Sequence, residues 1–401
     1  MANTLKFGNG EWAVGKETAL AYNDENGNFK PLPFTFDRAS IATVVNKQGL
    51  IETVGADEPR IDFTDNTKGA LLLEPSRTNL VTQSNNTTTT NVWSHYSYGG
   101  GLIVDTYGYD SPDGKNEASR LVYTNSSAGS GGALLTTNIT LLATGIYTIS
   151  LWAKSVSGTK EIRFSPKSTS SSGTLGSRIT LTNEWKRYTH TFTNDGGTSR
   201  GFQFRIGESE DSGDRTFDVW GMTIEQGSYA TSYIPTQGSA VTRLADSCNN
   251  AGNEQVINST EGVLYAEIAA LADDLTFRQI SISDGTNDNR VRINYTSTSQ
   301  QIQSRVIVSG VTQASINKSS FTDITDLTKI ALSYKQNEVK LYINGELIET
   351  DTSATMPPAD TFNVLNFDSG SGTGDFYGNV KEIKLYDTAL TDQELAALTQ
   401  V

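Results

Sequence analysis

In the middle of the chain, apolar and polar side chains take turns with a period of two. Ile149 and Leu151 alternate with Thr148, Ser150 and Trp152. Tyr188, His190 and Phe192 alternate with Thr189 and Thr191, and Phe202, Phe204 and Ile206 with Gln203 and Arg205. This is the pattern of strands that bury one face and wet the other. Polar, glycine-bearing segments at 126–132, 168–176, 195–201 and 207–215 separate the runs and read as long turns. The whole stretch 76–246 is therefore expected to be a β-sandwich.

The alternation stops at the polar run 249–260 and then resumes, predicting strands at 263–269, 278–283, 290–296, 301–308, 329–335 and 338–343 in a second sandwich over 247–401. Inside it, Asn344-Gly345 between apolar runs fits a two-residue type I′ hairpin, with Leu341 set opposite Ile348. Thr391-Asp392-Gln393-Glu394 reads as a capping box, and Leu395 with Leu398 gives the short helix behind it an apolar stripe. Residues 1–75 differ: Pro31 and Pro33 interrupt them and their apolar residues are scattered, as at Phe34/Phe36 and Ile61/Phe63. They read as an irregular arm, either lying on its own sandwich or docking elsewhere. No fixed-period repeat occurs. The expected fold is all-β: two tandem β-sandwich (jelly-roll) domains preceded by an irregular N-terminal arm, with one short C-terminal helix.

Composition sharpens this. The chain has 401 residues, too many for one ordinary core. Its 16 Tyr, 15 Phe and 5 Trp argue against disorder despite the abundance of Ser, Thr, Asn and Gly. A net charge of −14 points away from nucleic acid, which needs clustered Lys and Arg. No apolar run is long enough to insert in a membrane, and the start MANTLKFGNGEW has neither the basic nor the apolar part of a secretory signal. Cys248 stands alone, so intrachain disulfides and a cysteine-based zinc site are excluded. Asn-X-Ser/Thr triplets, as at Asn138 and Asn294, are what a chain this rich in Asn, Ser and Thr contains by chance.

Candidate chemistry is sparse. The two histidines are His95, among Trp93, Tyr96 and Tyr98, and His190, in strand phase with Tyr188 and Phe192. Phase makes His190 a core residue rather than the base of a triad. Glu208, Glu210, Asp211 and Asp214 gather in a glycine-bearing turn, where solvated charge is the ordinary explanation, and no G-x-S-x-G, P-loop or dinucleotide fingerprint is present. An enzyme is not expected, and no cofactor is required. Calcium is the one metal the loops could hold, with Asp284, Asn287 and Asp288 as hard oxygen ligands and Asp368-Ser369-Gly370 as a second loop; such Asp/Asn/Gly loops are equally ordinary turns. Sugar recognition uses aromatic faces flanked by polar groups. Residues 93–109 offer Trp93, His95, Tyr96, Tyr98, Tyr107 and Tyr109 among glycines, and these are the glycan-binding candidates. Trp152, Trp185 and Trp220 sit in or beside strand patterns and read as framework.

Three stretches resemble known families. Phe36-Asp37-Arg38-Ala39-Ser40, then Asn46 to Glu52, Glu58 to Phe63 and Gly69 to Leu80, resemble a segment of bacteriophage structural proteins that runs from R-A-S through G-L-I and E-P-R to L-L-E-x-x-R-T-N-L. Trp220 to Thr236, followed by Val241 to Asp246, resemble the end of the carbohydrate-binding-module-like jelly roll in the same proteins. Leu341 to Gly345, Phe376 to Tyr386 and the capped helix after Leu390 resemble a laminin-G/concanavalin A-like sandwich, with Thr391 where serine is usual.

The resemblance implies a phage virion surface protein: a head fibre, tail fibre or tail-tip component that binds host-surface polysaccharide weakly and multivalently. It implies a homo-oligomer, a trimer by analogy, at the virion surface beside other virion proteins. A capsid or tail decoration protein without a sugar site is the alternative, and a polysaccharide hydrolase a third reading. The resemblance also gives Arg38, Glu74, Arg77, Asn79, Glu225 and Arg243 structural roles. Arg38 or Arg77 is expected to tie the leader to the jelly roll through Glu74 or Glu225.

Overall fold

The structure is a computed structural model that describes residues 4–19, 21, 32–64, 66–88, 92–98, 102–124, 131–136, 139–140, 144–167, 178–194, 199–206 and 214–401. Most of the turns expected at 126–132, 168–176, 195–201 and 207–215, with Glu208, Glu210 and Asp211, lie outside the described residues. The fold is nearly all-β with one short C-terminal helix. It divides into two compact units: one comprises 50–52 and 76–243, the other 1–49, 53–75 and 244–401.

In the first unit, a five-stranded antiparallel sheet runs in the order Leu102–Tyr109, Ala118–Thr124, Arg215–Gln226, Gly145–Ser155, Lys186–Asn194. A six-stranded sheet contains Trp93–Tyr98, Gly131–Thr136, Ser199–Ile206, Lys160–Lys167 and Arg178–Leu181, with Ile139–Thr140 beside Ser199–Ile206. Period-two patterning puts Tyr147, Ile149, Leu151, Phe217, Val219 and Ile224 into the core between them. His190 pairs with Ile149 and shares the core-facing phase of Tyr188 and Phe192, as its spacing predicts.

The other unit stacks two sheets on a larger core. One has the order Glu346–Asp351, Glu338–Ile343, Thr328–Lys335, Glu261–Ala270, Gly378–Tyr386, Ala70–Leu73, Ile61–Asp62. The second runs Val311–Lys318, Ile302–Val308, Arg290–Tyr295, Arg278–Ser283, Val364–Asn366. Asn344 and Gly345 adopt φ of 49° and 87°, the left-handed values a type I′ turn demands. The hairpin register is corrected in one respect: a bulge after Tyr342↔Leu347 sets Leu341 opposite Glu349, not Ile348. Helix Asp392–Thr399 closes with the full capping box, Thr391 and Glu394 bonding each other's backbone amides, and buries Leu395.

Residues 1–75, read as an irregular arm lying on its own sandwich or docking elsewhere, contribute described strands to a sheet of the unit that contains 244–401. Strand Leu5–Gly8 lies antiparallel to Gly378–Tyr386, with Leu5 opposite Leu385, and Ala70–Leu73 pairs farther along the same strand. Leu5, Phe7, Leu71 and Leu73 are buried in the shared core. These strands are only four residues long, so two apolar residues at i, i+2 are all the signal each can give.

A buried charge cluster fastens this arrangement. Arg38 reaches Asp246 at 3.0 Å and Arg60 reaches Glu74 at 2.6 Å, while Arg60 also bonds the second Asp246 oxygen. The Glu74 amide donates to Asp246 at 2.7 Å. Arg38 satisfies its remaining donors on the carbonyls of Ser40, Glu58 and Gly55. Burial works against the Arg60 charge, but Asp246 and Glu74 more than offset it and hold the guanidinium above its ordinary value. Two guanidinium groups thus meet two carboxylates with no solvent exposure to speak of. The expected ties are corrected accordingly: Glu74 is held by Arg60 and Arg38 by Asp246, all within one unit.

Candidate functional site

The aromatic stretch 93–109 is not one loop. It forms two strands in different sheets, Trp93–Tyr98 and Leu102–Tyr109. Trp93 faces inward, 1% exposed, and donates its indole N–H to the Gln83 carbonyl at 3.0 Å. A ring in the core cannot stack on a sugar, so Trp93 is removed from the candidates. His95 Nε2 lies 3.3 Å from the buried Asp105 carboxylate. Of Tyr96 and Tyr98 the backbone alone is described. A bulge between Tyr107 and Tyr109, with Gly108 at φ 110°, turns these two rings to different surroundings. Tyr107 is exposed, and burial together with Glu117 and Asp113 raises its phenol. Tyr109 lies under a guanidinium, with Arg120 centred 3.8 Å from its ring.

Arg120 opens a row that crosses the outward face of the five-stranded sheet. Arg120, Asp218 and Lys154 are direct register partners on three adjacent strands. Arg120 grips Asp218 with two bonds of 2.7 and 3.0 Å, which raises its own pKa above the ordinary value. Lys154 sits 3.9 Å from the same carboxylate and 4.9 Å over the Trp185 ring. In the next row Trp152 faces Trp220 on one side and Arg187 on the other, the guanidinium 4.4 Å from its ring. Trp152, Trp220 and Tyr233 form an aromatic cluster with centroids 4.4–5.9 Å apart, Trp152 edge-on to both and Trp220 tilted against Tyr233. Gly221, at φ 63°, makes this possible: a Cβ there would come within 2.8 Å of the Trp152 ring. Tyr109, Trp152, Trp185 and Arg187 are each partly exposed, and they present aromatic planes and cations side by side around the buried Asp218 carboxylate. Strand phase marked the three tryptophans as framework. For Trp220, 1% exposed, that fits; Trp152, on the side of its strand opposite Ile149 and Leu151, and Trp185, just before strand Lys186–Asn194, are both partly exposed. The usable signal was that Trp152 falls opposite in phase to Ile149 and Leu151.

The remaining residues with expected roles are structural in setting. Asn79 is a buried hub: its amide donates to the carbonyls of Met222 and Ile234 at 3.2 and 2.9 Å, and its oxygen accepts from Val81 and Ile224 at 3.0 and 3.2 Å. Glu225 is buried and accepts from Thr231. Arg77 stacks on Tyr229 and pairs in register with Arg243. In the expected calcium loop, both Asp284 oxygens serve the turn, accepting from Thr286 and Asn289. Asn287 accepts from Arg290 through its side-chain oxygen and donates its amide to Ser371. Among the described residues no group of three His, Cys, Asp or Glu side chains is arranged to hold a metal, and no helix is long and apolar enough to cross a membrane.

Comparison with known proteins assigns the two sandwiches. Residues 78–213 match the carbohydrate binding domain family, and residues 253–396 match the concanavalin A-like lectin/glucanases superfamily. The chain thus carries a domain of carbohydrate-binding-module type and a laminin-G/concanavalin A-like domain. Similar solved structures include the CBM40 of an IT-sialidase from Ruminococcus gnavus bound to α2,3-sialyllactose, at 20% identity over 35% of this chain and 83% of that one, with TM-score 0.31. Domain 4 of an extracellular arabinanase from Geobacillus stearothermophilus is similar at 16% identity over 44% and 83%, with TM-score 0.30. The family 11 carbohydrate-binding module from Clostridium thermocellum is similar at 17% identity over 41% and 98%, with TM-score 0.27. No curated protein matches the chain.

Proposed function

We propose that this protein is a non-catalytic surface adhesin of a phage particle, whose first unit binds host glycans through the outward row of its five-stranded sheet. The observation that carries the site is the line Tyr109–Arg120–Lys154–Trp185, partly exposed and held in place by the buried Asp218, which offers rings to a pyranose and cations to its hydroxyls on a rigid sheet. The carbohydrate binding domain match over 78–213 supports the same reading. The virion setting rests on the segments from Phe36 to Leu80 and from Trp220 to Asp246. Such sites are individually weak, and a homo-oligomer, a trimer by analogy, would raise their avidity without new contacts.

The test is binding of purified protein to host cells and to their extracted polysaccharide, wild type against Trp185→Ala and Lys154→Ala. Saturable binding lost in both variants, with unchanged melting curves, supports the site. Binding to particles that lack the protein, with none to cells or polysaccharide, overturns it in favour of a decoration role. Shortening of the polysaccharide overturns it in favour of a hydrolase.

A further inference from the structure

In the concanavalin-like unit, the sheet Val311–Lys318, Ile302–Val308, Arg290–Tyr295, Arg278–Ser283, Val364–Asn366 turns Ile280, Ile282, Val291, Ile293 and Val306 to the core. The alternate residues face outward. There Arg292 is the direct register partner of Arg305, and Arg290 lies two residues along the same strand. Three guanidinium groups therefore share one small area of a protein whose net charge is −14.

Among the described residues nothing neutralises them. No described acidic group lies within ion-pair distance of Arg290, Arg292 or Arg305; Asp288 acts on Arg290 only from farther away. Arg292 is 5% exposed, donates to Gln279, and leaves its Nε buried without an acceptor. Arg290 spends one nitrogen on Asn287 and the Ser369 carbonyl, and its Nε is likewise buried and unaccepted. Burial pulls the Arg292 guanidinium down to about 10, and Arg290 and Arg305 push it the same way. A buried cation is ordinarily paired, and an orphaned buried donor is destabilising. The fold retains two such donors side by side. The complement is also present: Asn294, outward on the same strand and 2% exposed, has a buried side-chain oxygen that receives no donor. Phe277 lies against Arg292, 5.5 Å from the guanidinium carbon.

We infer that Arg290, Arg292 and Arg305 form an oxyanion site for an acidic glycan, with Asn294 accepting from a ring hydroxyl and Phe277 flanking the sugar. A bare inorganic anion would use the arginines and leave Asn294 unserved; a saccharide carrying a carboxylate or sulfate ester supplies both the anion and the hydroxyl. The site lies in the other unit from the row above and stands without that reading.

Isothermal titration of the full chain tests it with three probes of equal length: an oligogalacturonate, a sulfated oligosaccharide and a neutral oligosaccharide. Binding of either acidic probe should exceed the neutral one at least tenfold and weaken as salt is raised. Arg292→Gln and Arg305→Gln should each lower it at least tenfold, with Trp185→Ala leaving it unchanged. Arg305 is half-exposed, so its variant remains informative should Arg292→Gln melt early. The acidic probe that binds identifies carboxylate or sulfate as the oxyanion. Equal affinity for all three probes, no binding by either acidic one, or binding insensitive to Arg305→Gln overturns the proposal. Loss with Trp185→Ala but not with the arginine variants assigns acidic-glycan binding to the first unit and equally overturns it.

Discussion

Two groups of arginines in the same sandwich are treated in opposite ways. Arg38 and Arg60 are wholly buried, and every charge they bring is met by Asp246 or Glu74 and by main-chain carbonyls. Arg290, Arg292 and Arg305 sit together with amides and hydroxyls but without a carboxylate in ion-pair reach among the described residues. The first group resembles a core that has been finished; the second retains an unmet demand for negative charge. Pairing, rather than burial or sequence motif, separates a fastening from a candidate binding site.

The largest effect should come from breaking the finished cluster. Asp246→Ala strands two buried guanidinium groups and is expected to cost on the order of 3–5 kcal/mol, read as a fall in urea midpoint; a shift below about 1 kcal/mol would mean the cluster does not fasten the fold. The second group should respond with the opposite sign. Arg292→Met removes a buried like charge, so the unliganded protein is expected to keep or gain about 1 kcal/mol; a loss of several would show that the arginine is itself structural. A third, smaller case is His190, half-buried on the core face, whose pKa burial lowers from 6.5. The folded state therefore binds the proton less readily than the unfolded chain. Its stability contribution is complete above pH 6.5 and is lost as pH falls through the folded value. His190→Gln should flatten the melting temperature between about pH 7 and pH 5, and an unaltered slope would assign acid sensitivity to other groups. The smallest effect is expected at the solvent-facing pair Lys340–Asp392, 2.7 Å apart. Lys340→Ala should change stability by no more than about 1 kcal/mol, measured in the same denaturation series.

Much of this was legible in the alternation of side chains. Strands such as Arg278–Ser283 and Glu338–Ile343 begin and end where the pattern predicts, and Thr391 with Glu394 announced the helix. The capping box is local chemistry, and local chemistry survives in sequence. Other features were not local. Leu5 and Phe7 form a strand only because Leu385 and Ile383 lie opposite them, and nothing within ten residues says so. The Arg38–Asp246 pair joins residues 208 apart. For the site, aromatic density drew attention to 93–109 and so to Trp93, which proved to be core. Density counts rings but not the side of the sheet on which they fall. Phase does count it: Trp152 stands out of step with Ile149 and Leu151, and Arg290 and Arg292 with Val291 and Ile293. The missing partners of those arginines required the fold itself.

The placing of Leu5–Gly8 against Gly378–Tyr386 also fixes an order of events during synthesis. The first strand leaves the ribosome long before its partner exists and must wait while the whole of 76–243 is made. That intervening unit is contiguous apart from 50–52 and has its own core, so it can fold as soon as it is translated. The other unit can close only once Gly378–Tyr386 has been made, across a loop of more than three hundred residues, which predicts slow, late acquisition of protease resistance in that sandwich alone. Removing Leu5–Gly8 and removing Gly378–Tyr386 should therefore injure the same sandwich and spare the other.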